Sequence, residues 1–259
     1  FTVLFFFCFT YVELIDITYY LNHYYFVSII SFLLILAPAN RYFSLDARRN
    51  PEIRQKLTGR WSILMLKVQI AIVYIFAGVA KINGDWLLEA LPLSIWLPAK
   101  TSIPIIGFIF EYEFTPYLFS WAGMLFDTLI IFGLLFKPTR WPAYIAVVIF
   151  HTLTGILFQI GVFPIVMIFA VTTFFSDRFH ERLLGGLGRF LGAEKSLVSK
   201  NPVPQPSPSK RKILFPFLIL FFTFQVLFPW RYLLYPGNLF WTEEGYRFSW
   251  RVMLMEKAG

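Results

Sequence analysis

The sequence predicts an all-α membrane protein, a polytopic helical bundle with about seven spans. Three observations carry that expectation. The chain has 259 residues of which 58% are hydrophobic and only 15% charged, with a mean hydropathy of +0.64, whereas soluble domains run nearer half apolar and a quarter charged. Thirty-two Phe and eight Trp suit a lipid-facing surface with interfacial anchors. The apolar runs are also long enough to cross a bilayer, which takes ~20 residues.

The expected spans are roughly 1–12, 19–37, 62–80, 116–136, 141–159, 161–176 and 213–229. The stretch from Trp141 to Phe175 is one apolar run, longer than a single crossing, and Gln159, Gly161 and Pro164 predict a tight turn within it. Residues 201–212 read as a flexible Pro/Ser linker. The chain opens inside an apolar run with Phe1 and ends at Gly259, so it reads as a fragment lacking an N-terminal piece and a C-terminal outer domain. The division expected is a transmembrane domain over 1–229, with a cytoplasmic linker near 177–212, and the start of an extracytoplasmic region over 230–259.

Orientation follows from alternate loops. Segments 37–61, 137–140 and 177–212 carry sixteen Lys and Arg on one side. The opposite side carries Glu13, Asp16, Asp85, Glu89, Glu111 and Glu113 and, before the last span, only Lys81 and Lys100. The bias places the basic side in the cytoplasm. The net charge of +8 thus marks topology, and a nucleic-acid partner is not expected. Cys8 is the only cysteine, so no intrachain disulfide forms.

Ionisable groups inside spans are costly and default to functional hypotheses. His23 lies four residues into the second span, ~6 Å deep at 1.5 Å per residue, with Asn22 before it. Lys81 ends the third span and His151 lies toward the outer end of the fifth. Three titratable groups from three helices thus fall in the outer half of the bilayer. Each also has a structural reading: Lys81 as a snorkelling interfacial lysine, the histidines as hydrogen-bonded packing residues. Asp127 and Lys67 read either as members of structural pairs, with no partner assigned, or as groups near enough to loops to find water, and Glu13 and Asp16 as solvated loop acids. Three His in all cannot build a multi-His di-iron site, and no metal site is expected. His23 and His151 could in principle ligate one haem, but nothing else in the sequence supports that. No Walker loop, HExxH, GxSxG or CxxC occurs.

Four segments resemble the vitamin K-dependent γ-glutamyl carboxylase family. DITYYLNHYYF (Asp16 to Phe26) is similar to its Asp–x6–His segment. QIAIVYIFAGVAKINGDWL (Gln69 to Leu87) looks like its lysine motif. FHTLTGILFQIGVFPIVM (Phe150 to Met167) resembles its FH…LFSIGMF segment, and WTEEGYRFSWRVM (Trp241 to Met253) its Tyr-x-x-Ser-Trp-x-x-Met segment. The shared membrane unit is the HTTM (horizontally transferred transmembrane) domain. Two positions depart from the pattern: Ala80 stands where vertebrate members carry a second lysine, and Tyr20 where a Trp is usual.

The resemblance implies a quinol-dependent oxygenase, or epoxidase, coupled to γ-carboxylation of peptide glutamate. Reduced vitamin K, O2 and CO2 would be the co-substrates, with no metal. By the same resemblance Lys81 deprotonates the hydroquinone, while His23 and Asn22 hold or polarise its oxygens. His151, Tyr246, Trp250, Met253, Asp16 and Gln69 would shape the pocket. A lysine base works neutral, and a dry apolar pocket favours neutral forms and excludes water. The partners implied are the bilayer, an isoprenoid naphthoquinol and a glutamate-containing secreted protein or peptide, with the active site toward the lumenal or periplasmic side. The competing expectation is a non-catalytic HTTM membrane protein acting in peptide export or immunity. A transporter would show broken helices and internal repeats, and neither is visible.

Overall fold

The computed structural model describes all residues except 17, 19, 43, 56, 159, 191–204, 253 and 255–259, and the side chains of 187–190 lie outside the description too. In chain order the α-helices are α1 (Thr2–Ile15), α2 (Asn22–Leu36), α3 (Leu45–Arg49), α4 (Arg60–Ala80), α5 (Gly84–Leu87) and α6 (Leu93–Trp96). There follow α7 (Thr115–Leu135), α8 (Arg140–Phe158), α9 (Phe163–Val171), α10 (Asp177–Phe190), α11 (Pro208–Leu227) and α12 (Leu239–Thr242). No strand occurs among the described residues.

All seven expected spans are helical, but they do not qualify equally. Four helical stretches are long and apolar enough to cross a membrane: Arg60–Ala80, Thr115–Leu135, Arg140–Phe158 and Pro208–Leu234. A fifth is added if α2 and the bent segment after it form one span, while Thr2–Ile15 and Phe163–Phe174 are shorter apolar helices. The 21 residues of α4 rise about 32 Å, against a hydrocarbon core of about 30 Å. The expected count of seven is therefore not reached by length and composition. The linker reading also changes, because residues 208–212 are the first turns of α11, with Pro208 where a missing N–H costs nothing.

The chain divides into two compact units. The first comprises Phe1–Gln69 and Thr172–Phe221, the second Ile70–Val171 and Phe222–Gly259. In the first, α1 and α2 form a helical hairpin in which Phe6 meets Phe32 and Phe9 meets Tyr24. Glu13, read from sequence as a solvated acid, is buried in this hairpin, where the Ser28 hydroxyl donates to it at 2.5 Å and in turn accepts from Thr10. A carboxylate between apolar helices needs such donors. Phe217 and Phe221 of α11 pack on Phe32. The Lys67 ammonium sits 5.6 Å over the Phe174 ring, a cation–π contact.

The second unit is built on the last turns of α4, which are buried almost all round: Ile72, Val73, Tyr74, Phe76, Ala77 and Ala80. The α7–α8 turn closes on itself. The Arg140 guanidinium donates to the Leu134 and Leu135 carbonyls and the Thr139 hydroxyl to the Gly133 carbonyl, which satisfies the open end of α7 and places positive charge there. The outward face of α7 stays apolar, with Trp121, Leu125, Leu129 and Phe132 exposed at helical spacing, as a lipid-facing helix requires. Between α4 and α7, residues 82–113 do not trail as a loop. Trp86, Leu93, Leu97 and Phe110 from this segment join Ala80, Met124, Leu157 and Leu254 in one buried cluster.

Candidate active site around Lys81

The site begins at a glycine. A Cβ at Gly78 of α4 would lie 2.7 Å from the Thr128 backbone nitrogen and 2.9 Å from its Cα on α7. Only a glycine lets the two helices approach this closely. Three residues after Gly78 and one before Thr128 are Lys81 and Asp127, and their side chains meet. The Lys81 Nζ donates to Asp127 Oδ2 at 2.8 Å and to the Ala77 carbonyl at 3.2 Å.

Both members of this ion pair are buried, Lys81 at 5% exposure and Asp127 at 6%. The snorkelling reading of Lys81 is thereby set aside, since the amine points inward. The expectation of a purely apolar surround is corrected as well: a carboxylate shares the pocket. Asp127 lies mid-helix, where an uncompensated charge would cost several kcal/mol, and Lys81 is the group that offsets it.

The segment after Lys81 folds to roof the pair. The Asn83 side-chain oxygen accepts from the Trp86 amide and so caps α5, while its Nδ2 donates to the Ala80 carbonyl. That turn drives Trp86 inward. Its indole N–H donates to the Ser120 carbonyl at 2.8 Å, and the Ser120 hydroxyl donates back to the Trp86 carbonyl. The Lys81 Nζ lies 5.3 Å over the Trp86 ring.

A second polar pair faces the same space. The Tyr74 hydroxyl and His151 Nε2 are 2.7 Å apart, both residues being buried. His151 Nδ1 has no hydrogen-bond partner among the described residues. With the phenol donating to Nε2, the neutral imidazole carries its hydrogen on Nδ1. Phe150 and Phe163 meet the imidazole edge-on.

Tyr74, Lys81, Asp127 and His151 all line one cavity of about 80 Å3, walled by Val73, Ala77, Trp86, Leu93, Phe119, Phe150, Phe158, Phe163 and Met167. The wall is almost entirely apolar. Ligand cavities usually measure roughly 300–1,000 Å3, so a bicyclic ring enters only if the aromatic walls part.

The other expected site residues are placed as follows. Asn22 and His23 open α2 in the first unit, where the Tyr20 hydroxyl donates to the Asn22 side-chain oxygen and the His23 ring meets Tyr24 edge-on. Asp16 ends α1 and accepts from the Thr18 amide, a bond that holds its carboxyl below the usual range. Gln69 is fully buried in α4 with neither amide atom partnered among the described residues. It sits twelve residues before Lys81, about 18 Å along the helix, and does not line the Lys81 cavity.

Trp250 is buried and Tyr246 half-buried in the segment after α12. Their neighbour Val252, rather than either of them, reaches the cavity wall. Burial pushes the Tyr246 phenol up to about 12, against the opposing effect of Arg251. Met253 lies outside the described residues. The sequence reading missed Tyr74 as a site residue although it stands seven residues before Lys81, two helical turns and hence the same face. It also left Asp127 without a partner. An intramembrane carboxylate needs a cation, and that rule pointed to Lys67 or Lys81.

Fold and site together define a multi-pass helical membrane protein with a lysine–carboxylate pair enclosed in an aromatic cavity. Residues 1–179 match the family model of the HTTM domain, and residues 210–259 match that of the vitamin K-dependent gamma-carboxylase lumenal domain. The chain belongs to the HTTM-domain, vitamin K-dependent gamma-carboxylase family. No solved structure matches the chain.

Proposed function

We propose that this protein oxygenates a vitamin K-type hydroquinone and couples that reaction to γ-carboxylation of peptide glutamate, with Lys81 as the base. The single observation that carries the reading is the Lys81–Asp127 pair, buried in an apolar cavity that also presents the unpartnered His151 Nδ1. Nothing in simple packing requires four polar side chains at this depth, and each is expensive there.

In its chemistry the lining suits a naphthoquinol, which enters once the aromatic walls part. Its flat apolar body suits walls of Phe and Trp, and its two oxygens need one proton acceptor and one hydrogen-bonding partner. Lys81 takes the first role in this reading and His151 Nδ1, whose ring is bonded to Tyr74 through Nε2, the second. When bound, the quinol supplies through reaction with O2 a base strong enough to remove a glutamate γ-proton, and it leaves as the epoxide with one water formed per turnover.

The protein's own part is to take the first proton and keep water out. Lys81 accepts at Nζ when the pair's existing proton rests on Asp127. The Asp127 carboxyl, still protonated, then holds the resulting ammonium through the oxygen that accepts from Nζ. Trp86, Phe119 and Phe158 close the cavity, so a strong base formed inside is not quenched by solvent. In the orientation set by the Lys/Arg bias Lys81 lies at the end of α4 toward the extracytoplasmic side, so substrates would arrive from that side.

The test is product analysis on the membrane-inserted protein supplied with vitamin K hydroquinone, O2, labelled CO2 and a glutamyl peptide. Epoxide and acid-stable label in the peptide are expected in near-equal amounts. Neither product above the level of empty membranes would leave a non-catalytic membrane role as the reading.

A further inference from the structure

Between the short apolar helix that ends at Phe174 and the span that opens at Pro208, the first unit carries a helix of another kind. Only Phe175 and Ser176 separate α10 from the apolar stretch before it, and the Ser176 carbonyl accepts from the Phe179 and His180 amides. Whereas α9 is apolar all round, α10 (DRFHERLLGGLGRF) mixes charged and apolar residues with the period of a helix.

At about 100° per residue, three stripes run along its first two turns. Asp177 and Glu181 form the first. Arg178 and Arg182 form the second, and Phe179 and Leu183 the third, on the side away from the acids. Phe179 is half-buried and stacks on Phe175 at 4.4 Å, which ties α10 to the end of the apolar stretch. Leu183, one turn further, is 47% exposed. Gly185 and Gly186 follow, and a Cβ at either meets nothing within 4 Å. These glycines serve no close approach among the described residues, and each weakens a helix. A helix of 14 residues with this sequence is marginal in water, and laying its apolar stripe on a surface stabilises it.

Two features identify that surface as an anionic bilayer. The arginines, both exposed, lie between the apolar stripe and the acids. With Leu183 turned into the acyl boundary, their stems run along it and their guanidinium groups reach headgroup phosphates, while Asp177 and Glu181 face water. The second feature is position. Lys210, Arg211 and Lys212, all exposed, open the next membrane helix of the same unit. Basic residues at the start of a span and on an amphipathic helix before it are the pattern that recognises acidic lipid.

We propose that α10 is an interfacial helix that lies on the cytoplasmic leaflet, with Leu183 in the acyl boundary and Arg178 and Arg182 on anionic headgroups. The side follows from the Lys/Arg bias, and the contact is independent of the chemistry at Lys81.

In the test, the full chain in a Cys8→Ala background is reconstituted into vesicles of phosphatidylcholine, with or without phosphatidylglycerol. An environment-sensitive fluorophore is attached at Leu183→Cys or, on the opposite face, at Glu181→Cys. The label at 183 is expected to emit as in an apolar medium and to be quenched by spin-labelled acyl chains. Quenching should be at least about twofold stronger with phosphatidylglycerol, while the label at 181 stays in water. Arg178→Gln with Arg182→Gln brings quenching at 183 down to the phosphatidylcholine level, and high salt does so without any substitution. A label at 183 that remains in water in both vesicles overturns the proposal. So does an apolar signal that the acyl-chain quencher does not reach, which would mean that another part of the chain or a second copy covers the stripe. Equal quenching with and without phosphatidylglycerol, unaltered by the arginine substitutions, overturns the headgroup contact.

Discussion

At the residue scale, the cost of charge in hydrocarbon decides what Asp127 and Lys81 are to each other. Removing one partner of a buried pair strands the other and typically costs about 3–5 kcal/mol, whereas replacing both by apolar residues is often neutral. Asp127→Leu is therefore expected to lower the thermal midpoint of the solubilised protein, and Lys81→Met with Asp127→Leu to recover it. Both variants are expected to lose epoxide formation. A double variant as unstable as the single one would show that the pair is not what the two side chains contribute. Tyr74→Phe removes the hydroxyl bonded to His151 Nε2, worth about 1 kcal/mol, and frees the ring to turn. Hydroquinone KM should rise severalfold, measured by epoxide formation, with little change in the thermal midpoint. Lys81 and His151 were legible in the sequence because they interrupt apolar runs. Their partners were not, because which residue of α7 meets which residue of α4 depends on helix rotation, and periodicity leaves that rotation open.

At the element scale, the Gly78 contact sets the distance between α4 and α7. Gly78→Val has no room against Thr128 and should separate the helices, lowering the thermal midpoint and epoxide formation together. Gly123→Ala is the control, since its new methyl would meet Trp86 at an ordinary 3.8 Å. It should behave like wild type in both assays, and equal damage from the two substitutions would remove the close approach as an explanation. The same scale explains why Lys81 looked interfacial from sequence. It ends a span, and the residues after it are a mixture of Asn, Gly, Asp, Pro and short apolar pieces without helical or strand periodicity. Asn83 caps one turn of helix and Trp86 folds back under Lys81, so the end of the span becomes the interior of the unit. Long spans were legible from hydropathy, and this roof was not, because its order comes from tertiary contacts.

For the whole molecule, the charge bias makes a claim that hydropathy alone does not. Segments 37–61 and 177–212 are predicted to face the cytoplasm and residues 241–259 the lumen or periplasm. In a Cys8→Ala background, Trp241→Cys should react with an impermeant maleimide in intact, correctly oriented cells, and Gln205→Cys only after permeabilisation. Labelling at position 205 in intact cells would reverse the topology and with it the side from which substrates arrive. The seven helical segments were visible in the sequence, while two of the short ones, α2 and α9, do not by themselves reach spanning length in the structure. Apolar composition identifies a membrane helix more readily than it fixes how many residues wind into it.

The central claim is that Lys81 is the base, and one comparison tests it most directly: vitamin K epoxide produced by folded, membrane-inserted Lys81→Ala against wild type at equal protein. Positioned proton transfer contributes roughly 100- to 10,000-fold, so epoxide formation by Lys81→Ala is predicted to fall at least about 100-fold. Lys81→Arg should fall with it, because a guanidinium does not serve as a base at physiological pH. Epoxide formation by Lys81→Ala at the wild-type rate would contradict the account and leave the Lys81–Asp127 pair as a purely structural contact.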